Sequence, residues 1–138
     1  MKNEMTLSFS AVSQNEAFAR SVIAAFAAQA NPSLEALSDI RTAVSEAVTN
    51  CIIHGYEQDA SCTITMHCTL CDGLLTITVQ DDGKGIPDIT LARKPFYTTK
   101  PELERSGMGF AVMEAFMDGI EVDSEPERGT TVRLWKRL

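Results

Sequence analysis

The run Glu46-Ala47-Val48-Thr49-Asn50-Cys51-Ile52-Ile53-His54-Gly55-Tyr56 carries two stripes at once. Ala47, Val48, Cys51 and Ile52 continue an apolar spacing that begins at Ile40, Ala43 and Val44, as one buried side of a helix requires. Beside it, Glu46, Asn50 and His54 recur every four residues and so stack along a common flank. A polar stripe on a helix that merely covers a sheet is usually solvated. Here it borders the apolar one, and small residues around it allow close approach of a ligand. A carboxylate and an amide oxygen on successive turns can hold a hard cation or orient a nucleophile. Ser33 or Ser38 can cap the helix at its start, and Gly55 ends it.

On the N-terminal side, residues 6–12 alternate as a strand with Met5, Leu7, Phe9 and Ala11 on one face. Residues 15–30 read as a helix, with Phe18, Val22, Ala25 and Phe26 expected as its buried stripe before Asn31-Pro32 breaks it. On the C-terminal side a hairpin is expected: residues 62–70 alternate, Asp72-Gly73 is a turn dipeptide, and Leu75, Ile77 and Val79 alternate on the return. Periodicity then fades over residues 87–107, where Pro87, Pro95 and Pro101 lie among Arg93, Lys94, Lys100 and Arg105. Loops of that length inside compact domains usually serve as functional lids. A helix over residues 107–117 and strands over 120–125 and 130–136, joined at Arg128-Gly129, complete the chain. The expected fold is α+β: a single domain over residues 1–138, a two-layer sandwich of a mostly antiparallel sheet with helices on one face.

Val79-Gln80-Asp81-Asp82-Gly83-Lys84-Gly85-Ile86-Pro87 closes the returning strand. Asp81 shares the parity of Ile77 and Val79, so its carboxylate faces the core side, whereas Asp82 faces solvent. A buried carboxylate needs a donor, and the exocyclic amine of adenine is one that fits. Gly83 and Gly85 permit a sharp turn and close approach to a planar ring. The segment is neither a P-loop, since no G-x-x-x-x-G-K-[ST] occurs, nor a dinucleotide fingerprint, since a loop follows it. Arg105-Ser106-Gly107-Met108-Gly109-Phe110 opens the third helix. Its free N–H groups and positive dipole end favour anions, and its glycines let phosphate oxygens come close. Lys100 and Arg105 lie where a closing lid brings them to a terminal phosphate, and Ser106 can serve simply as N-cap. Arg20, the one cation in an alanine-rich helix, is expected to be solvated.

With 138 residues, 44% of them hydrophobic, the chain suits one globular core. A net charge of −7 argues against direct nucleic-acid binding and favours a basic protein partner. No leader-like or transmembrane-length apolar run is present, so a cytoplasmic, membrane-free protein is expected. Four cysteines (Cys51, Cys62, Cys68, Cys71) include a C-x2-C, but Cys68 falls on the core parity, and no second ligand pair completes a zinc site.

The order of these blocks resembles the GHKL superfamily of ATPases and kinases, which shares the Bergerat ATP-binding fold. E-A-V-T-N-x-I-I-H-G-Y, D-D-G-K-G-I-P-D-I, F-Y-T-T-K-P-E-L-E-R-S-G-M-G-F and the terminal G-T-T-V are similar to the anti-sigma F factor (SpoIIAB) family of spore-forming bacteria, nearly end to end. The resemblance implies ATP and Mg2+ as cofactors, with Asn50 as the Mg2+ ligand and Glu46 as general base on an incoming serine hydroxyl. It further implies that Asp81 reads adenine, that Gly83 and Gly85 shape the pocket, and that Thr130 sits near the adenine end. Gly107 and Gly109, in one run with Ser106 and Met108, would cradle phosphates that Arg105 contacts. By the same resemblance the chain is a homodimeric protein serine kinase. It would hold RNA polymerase sigma F in the ATP state and phosphorylate a small anti-anti-sigma (SpoIIAA-like) protein, controlling sporulation. Two other readings are an ATP-gated sigma-binding module with little phosphoryl transfer and a water-attacking ATPase of the gyrase or Hsp90 sort. The second is less expected because no transducer or dimerisation domain follows Leu138.

Overall fold

The computed structural model describes residues 2–56, 59, 61–83, 109–125 and 127–138. The five strands are β1 (Lys2–Ser10), β2 (Thr63–Cys71), β3 (Leu74–Asp81), β4 (Gly119–Glu125) and β5 (Gly129–Arg137). They form one sheet in the order β1-β2-β3-β5-β4, with every pairing antiparallel. Among the described residues three α-helices, α1 (Gln14–Ala27), α2 (Leu34–Asn50) and α3 (Gly109–Phe116), supply the second layer. This is the α+β two-layer arrangement expected from the sequence.

Strict alternation makes the sheet two-faced. Ile64, Met66, Cys68 and Leu70 of β2 and Leu75, Ile77 and Val79 of β3 are fully buried, and Val132 and Leu134 of β5 continue the same face. The opposite face is polar: the Ser8 and Thr65 hydroxyls lie 3.2 Å apart, and Thr6 Oγ1 lies 2.7 Å from His67 Nδ1. The β2–β3 hairpin turns on Asp72 (φ 48°) and Gly73 (φ 84°), both left-handed, as a two-residue turn matched to strand twist requires. Cys68 lies inside the core, where burial pushes its thiol up to about 12, and Cys71 is exposed at the strand end. Among the described residues no group of three or more His, Cys, Asp or Glu side chains could hold a metal ion. No described helix is long and apolar enough to cross a membrane.

Helix α2 packs between α1 and α3. Ser33 rather than Ser38 caps it, accepting a 3.1 Å bond from the Ala36 N–H. Its expected stripe, from Ile40 through Val48 and on to Cys51 and Ile52, is buried. Two helical details differ from expectation. The buried residues of α1 are Ala19, Ile23, Phe26 and Ala27, while Phe18 is 51% exposed and Ala25 is also exposed. The buried side is turned from the expected one on to Ile23, with Phe26 kept and Ala19 and Ala27 as small neighbours where α1 meets α2. Secondly, α2 does not run on as an α-helix to Gly55: Cys51–Gly55 is a π turn, closed by a 3.0 Å bond from the Tyr56 N–H to the Cys51 carbonyl. Such widened turns recur at functional sites.

At the far end of β5, Trp135 is paired with Gly119 of β4. Any side chain at position 119 would run into the indole ring, and the Arg133 guanidinium stacks 5.4 Å from that ring's centre.

Candidate nucleotide site

Three of the elements singled out in the sequence meet at the C-terminal half of α2. A side chain added at Gly109, the first described residue of α3, would approach Asn50 Nδ2 to 3.0 Å, Asn50 Oδ1 to 3.2 Å and Glu46 Oε2 to 3.4 Å. Glu46 and Asn50 therefore stand on neighbouring turns facing the backbone of α3, where any side chain at position 109 would crowd them. Glu46 and Asn50 are both half-buried.

Asp81 lies alongside. Its side chain is only 4% exposed, and its Oδ1 accepts a 2.9 Å bond from the Gly83 N–H. The Cys51 thiol and the Thr130 backbone N–H lie on the same side of the pocket and favour the charged form of this carboxylate. Cys51 follows Asn50 directly, so the carboxylate borders the same turn that presents the amide. A carboxylate offers about four acceptor positions, so the Gly83 bond leaves room for a donor from a ligand. Burial raises the Asp81 carboxyl above its ordinary value, against the lowering effect of the Gly83, Cys51 and Thr130 bonds. Burial, and then the charge of Asp81, pushes the Cys51 thiol well up, so it remains a protonated donor.

Thr130 is 8% exposed; its hydroxyl lies 2.8 Å from that of Ser124, which donates to the Gly129 carbonyl at 3.0 Å. Gly129 has φ 103°, and a side chain there would collide with the Asp81 carbonyl and come within 2.7 Å of Asp82 Cα. On the other side of the strand end, the Tyr56 hydroxyl accepts from the Asp82 N–H at 2.6 Å and donates to the Thr63 carbonyl at 2.8 Å.

Glu46, Asn50, Asp81, Gly83, Gly109 and Thr130 are thus placed: Glu46 and Asn50 face Gly109, and Asp81 is bonded by Gly83 and paired with Thr130 across the sheet. Gly85, Lys100, Arg105, Ser106, Gly107 and Met108, with the expected lid over 87–107, lie outside the described residues. Sequence reasoning passed over Cys51, Tyr56 and Gly129. The first two sit inside the quoted E-A-V-T-N-x-I-I-H-G-Y run, so their proximity to the polar stripe was the available signal. Arg20 is not simply solvated: its Nε is buried without a hydrogen bond among the described residues, 3.6 Å from Glu16.

Comparison with known proteins gives a consistent picture. Residues 9–136 match the Histidine kinase-like ATPase domain family. The chain is 56% identical over 138 residues to the Anti-sigma F factor of Bacillus subtilis (strain 168), covering 100% of this chain and 94% of that protein. It is 56% identical over 137 residues to the Anti-sigma F factor of Clostridium botulinum (strain Eklund 17B / Type B), covering 99% and 96%. Among solved structures, the RsbU and RsbW domains of a Mycobacterium tuberculosis protein superpose with a TM-score of 0.71 at 22% identity. That match covers 99% of this chain and 32% of the longer one, and it speaks to the fold alone. A matched α/β frame, near-complete coverage and majority identity agree: the chain belongs to the anti-sigma F factor family, within the histidine kinase-like ATPase domains.

Proposed function

We propose that this chain is an ATP-dependent protein serine kinase that also acts as an anti-sigma factor. It binds RNA polymerase sigma F in the ATP state and phosphorylates a serine of a small anti-anti-sigma protein, working as a homodimer in the cytoplasm. The observation that carries this reading is the convergence of Glu46 and Asn50 on the glycine backbone of α3, with the Asp81 carboxylate on the adjoining turn.

Each part has a chemical task. Asp81 accepts the amine of adenine at a remaining acceptor position, and the Gly83 turn lets the ring lie against the backbone. The first amides of α3 receive phosphate oxygens, helped by the helix dipole. Oxygen donors suit a hard cation, and Asn50 with Glu46 nearby supplies them where both face Gly109; the residues therefore fit Mg2+ held chiefly by phosphates, with Asn50 as protein ligand. Bound there, the ion would offset phosphate charge. Glu46 takes the proton of the serine hydroxyl as its oxygen bonds to the terminal phosphorus and the bridging P–O bond breaks, releasing ADP. Gly107, Lys100 and Arg105, with Ser106 and Met108, belong to the segment assigned to capping the triphosphate, as does Gly85 to the base pocket.

The test is incubation with terminally labelled ATP, magnesium and an anti-anti-sigma protein, followed by mapping of the label. Label on a serine of the partner is the expected result. Retained sigma F binding with no transferred label would leave an ATP-gated binder, and free phosphate alone would make the chain a water-attacking ATPase.

A further inference from the structure

The last rung of the β2–β3 ladder is Thr65 opposite Gln80, and the register carried on by two residues sets Thr63 opposite Asp82. Those two backbones do not bond each other there. The Tyr56 hydroxyl stands between them, accepting from the Asp82 N–H at 2.6 Å and donating to the Thr63 carbonyl at 2.8 Å. A side-chain oxygen has replaced one ladder bond, and it parts β2 from β3 at the residue after Asp81. On its other edge β3 stays paired through Asp81 opposite Thr130. There Gly129 presses on the same peptide so closely that a side chain would reach Asp82 Cα at 2.7 Å. The Asp81–Asp82 peptide is therefore gripped from both sides, by a phenol and by a glycine. Tyr56 is delivered to this place by the π turn, whose closing bond runs from its own N–H to the carbonyl of Cys51, the residue after Asn50.

We propose that Tyr56 is a positioning residue for base recognition: its hydroxyl, wedged into the β2–β3 ladder, fixes the strand end so that the Asp81 carboxylate meets an adenine amine without reorganising. The inference rests on the nucleotide reading of the site and deepens it. A preorganised acceptor loses less freedom on binding, and its selectivity depends on being held still.

The test uses the full chain with Tyr56→Phe, which keeps the ring and removes the bridging oxygen. ATP and inosine triphosphate, which carries a carbonyl where adenine has its amine, are titrated by calorimetry. Amide exchange at Asp82 is followed without nucleotide. Expected are ATP binding weaker by about 2- to 12-fold, the equivalent of one ordinary hydrogen bond, inosine triphosphate little changed, and faster exchange at Asp82. Placing 4-aminophenylalanine at position 56 keeps the donor to Thr63 but offers Asp82 a much poorer acceptor, so it should lose part of the preference and speed Asp82 exchange to an intermediate degree; it carries the comparison if the Phe chain does not fold. Equal loss for both nucleotides, or unchanged exchange at Asp82, would overturn the proposal. A wild-type chain that bound neither nucleotide would instead overturn the site reading, and Asp82 exchange, measured without nucleotide, tells the two failures apart.

Discussion

Asp81 is a carboxylate held nearly out of water, and its protonation couples folding to pH. Burial raises its carboxyl in the folded chain, so over a window beginning near the ordinary value of about 3.9 the folded state holds a proton that the unfolded state has lost. The sign follows: this group's contribution to stability is full below that window and declines as pH rises through the folded-state value. Asp81→Asn removes the titration. Urea unfolding of the two chains from about pH 4 upward should therefore show wild type losing stability relative to the variant as pH rises; the opposite slope would contradict the assignment. At neutral pH the same variant should weaken ATP by roughly 10- to 100-fold, the scale of a hydrogen bond to a charged group, and equal loss of folding would mark Asp81 as structural. Glu46→Gln should retain ATP binding while serine phosphorylation falls by roughly 10²–10⁴, the range for a lost general base; transfer at full rate in a quench assay would remove that role.

Among the elements, β3 and β5 show how tightly the site is framed. Gly129 combines a left-handed φ of 103° with contact against the Asp81 carbonyl. Gly129→Ala should cost about 1–3 kcal/mol from crowding alone, with added strain from the positive φ, and should displace the strand end that carries Asp81. Thermal melting together with ATP titration checks this; an unshifted melt would mean that the strands part more readily than the contact suggests. Much at this level was legible beforehand. The α2 stripe and the hairpin follow from short-range period and turn chemistry, which a sequence displays directly. What escaped was set by neighbours remote in the chain. Cys51 continues an apolar stripe and so reads as core, yet its thiol faces Asp81, thirty positions on in the numbering. The pairing of Thr130 with Asp81 depends on the β3–β5 register, which no local pattern encodes. The α1 face settled on Ile23 with Phe26, Ala19 and Ala27 in place of Phe18, Val22 and Ala25, a choice that the packing partner rather than the period decides.

For the whole molecule, a site built on α2, α3 and β3 ties ligand binding to the stability of the main core, since α2 packs on both other helices. ATP at about 100 times its dissociation constant should stabilise the folded chain by roughly 2.7 kcal/mol. Asn50→Ala should abolish the magnesium-dependent part of that gain, and a melting point that still rises fully with magnesium and ATP would remove Asn50 as the metal ligand. The net charge of −7 makes basic partner surfaces the natural complement, so association should slow as salt is raised.

Trp135 is the sole tryptophan of the chain, and β5 separates it from Thr130 at the opposite end of the strand. Clasped between Gly119 and the Arg133 guanidinium, its indole registers whether the β4–β5 rungs are intact and is too remote to sense what occupies the Asp81 pocket. Nature has thus left an optical gauge on the quiet end of the sheet: its emission should follow global melting and ignore added nucleotide, which lets one cuvette distinguish a chain that has lost its ligand from one that has lost its shape.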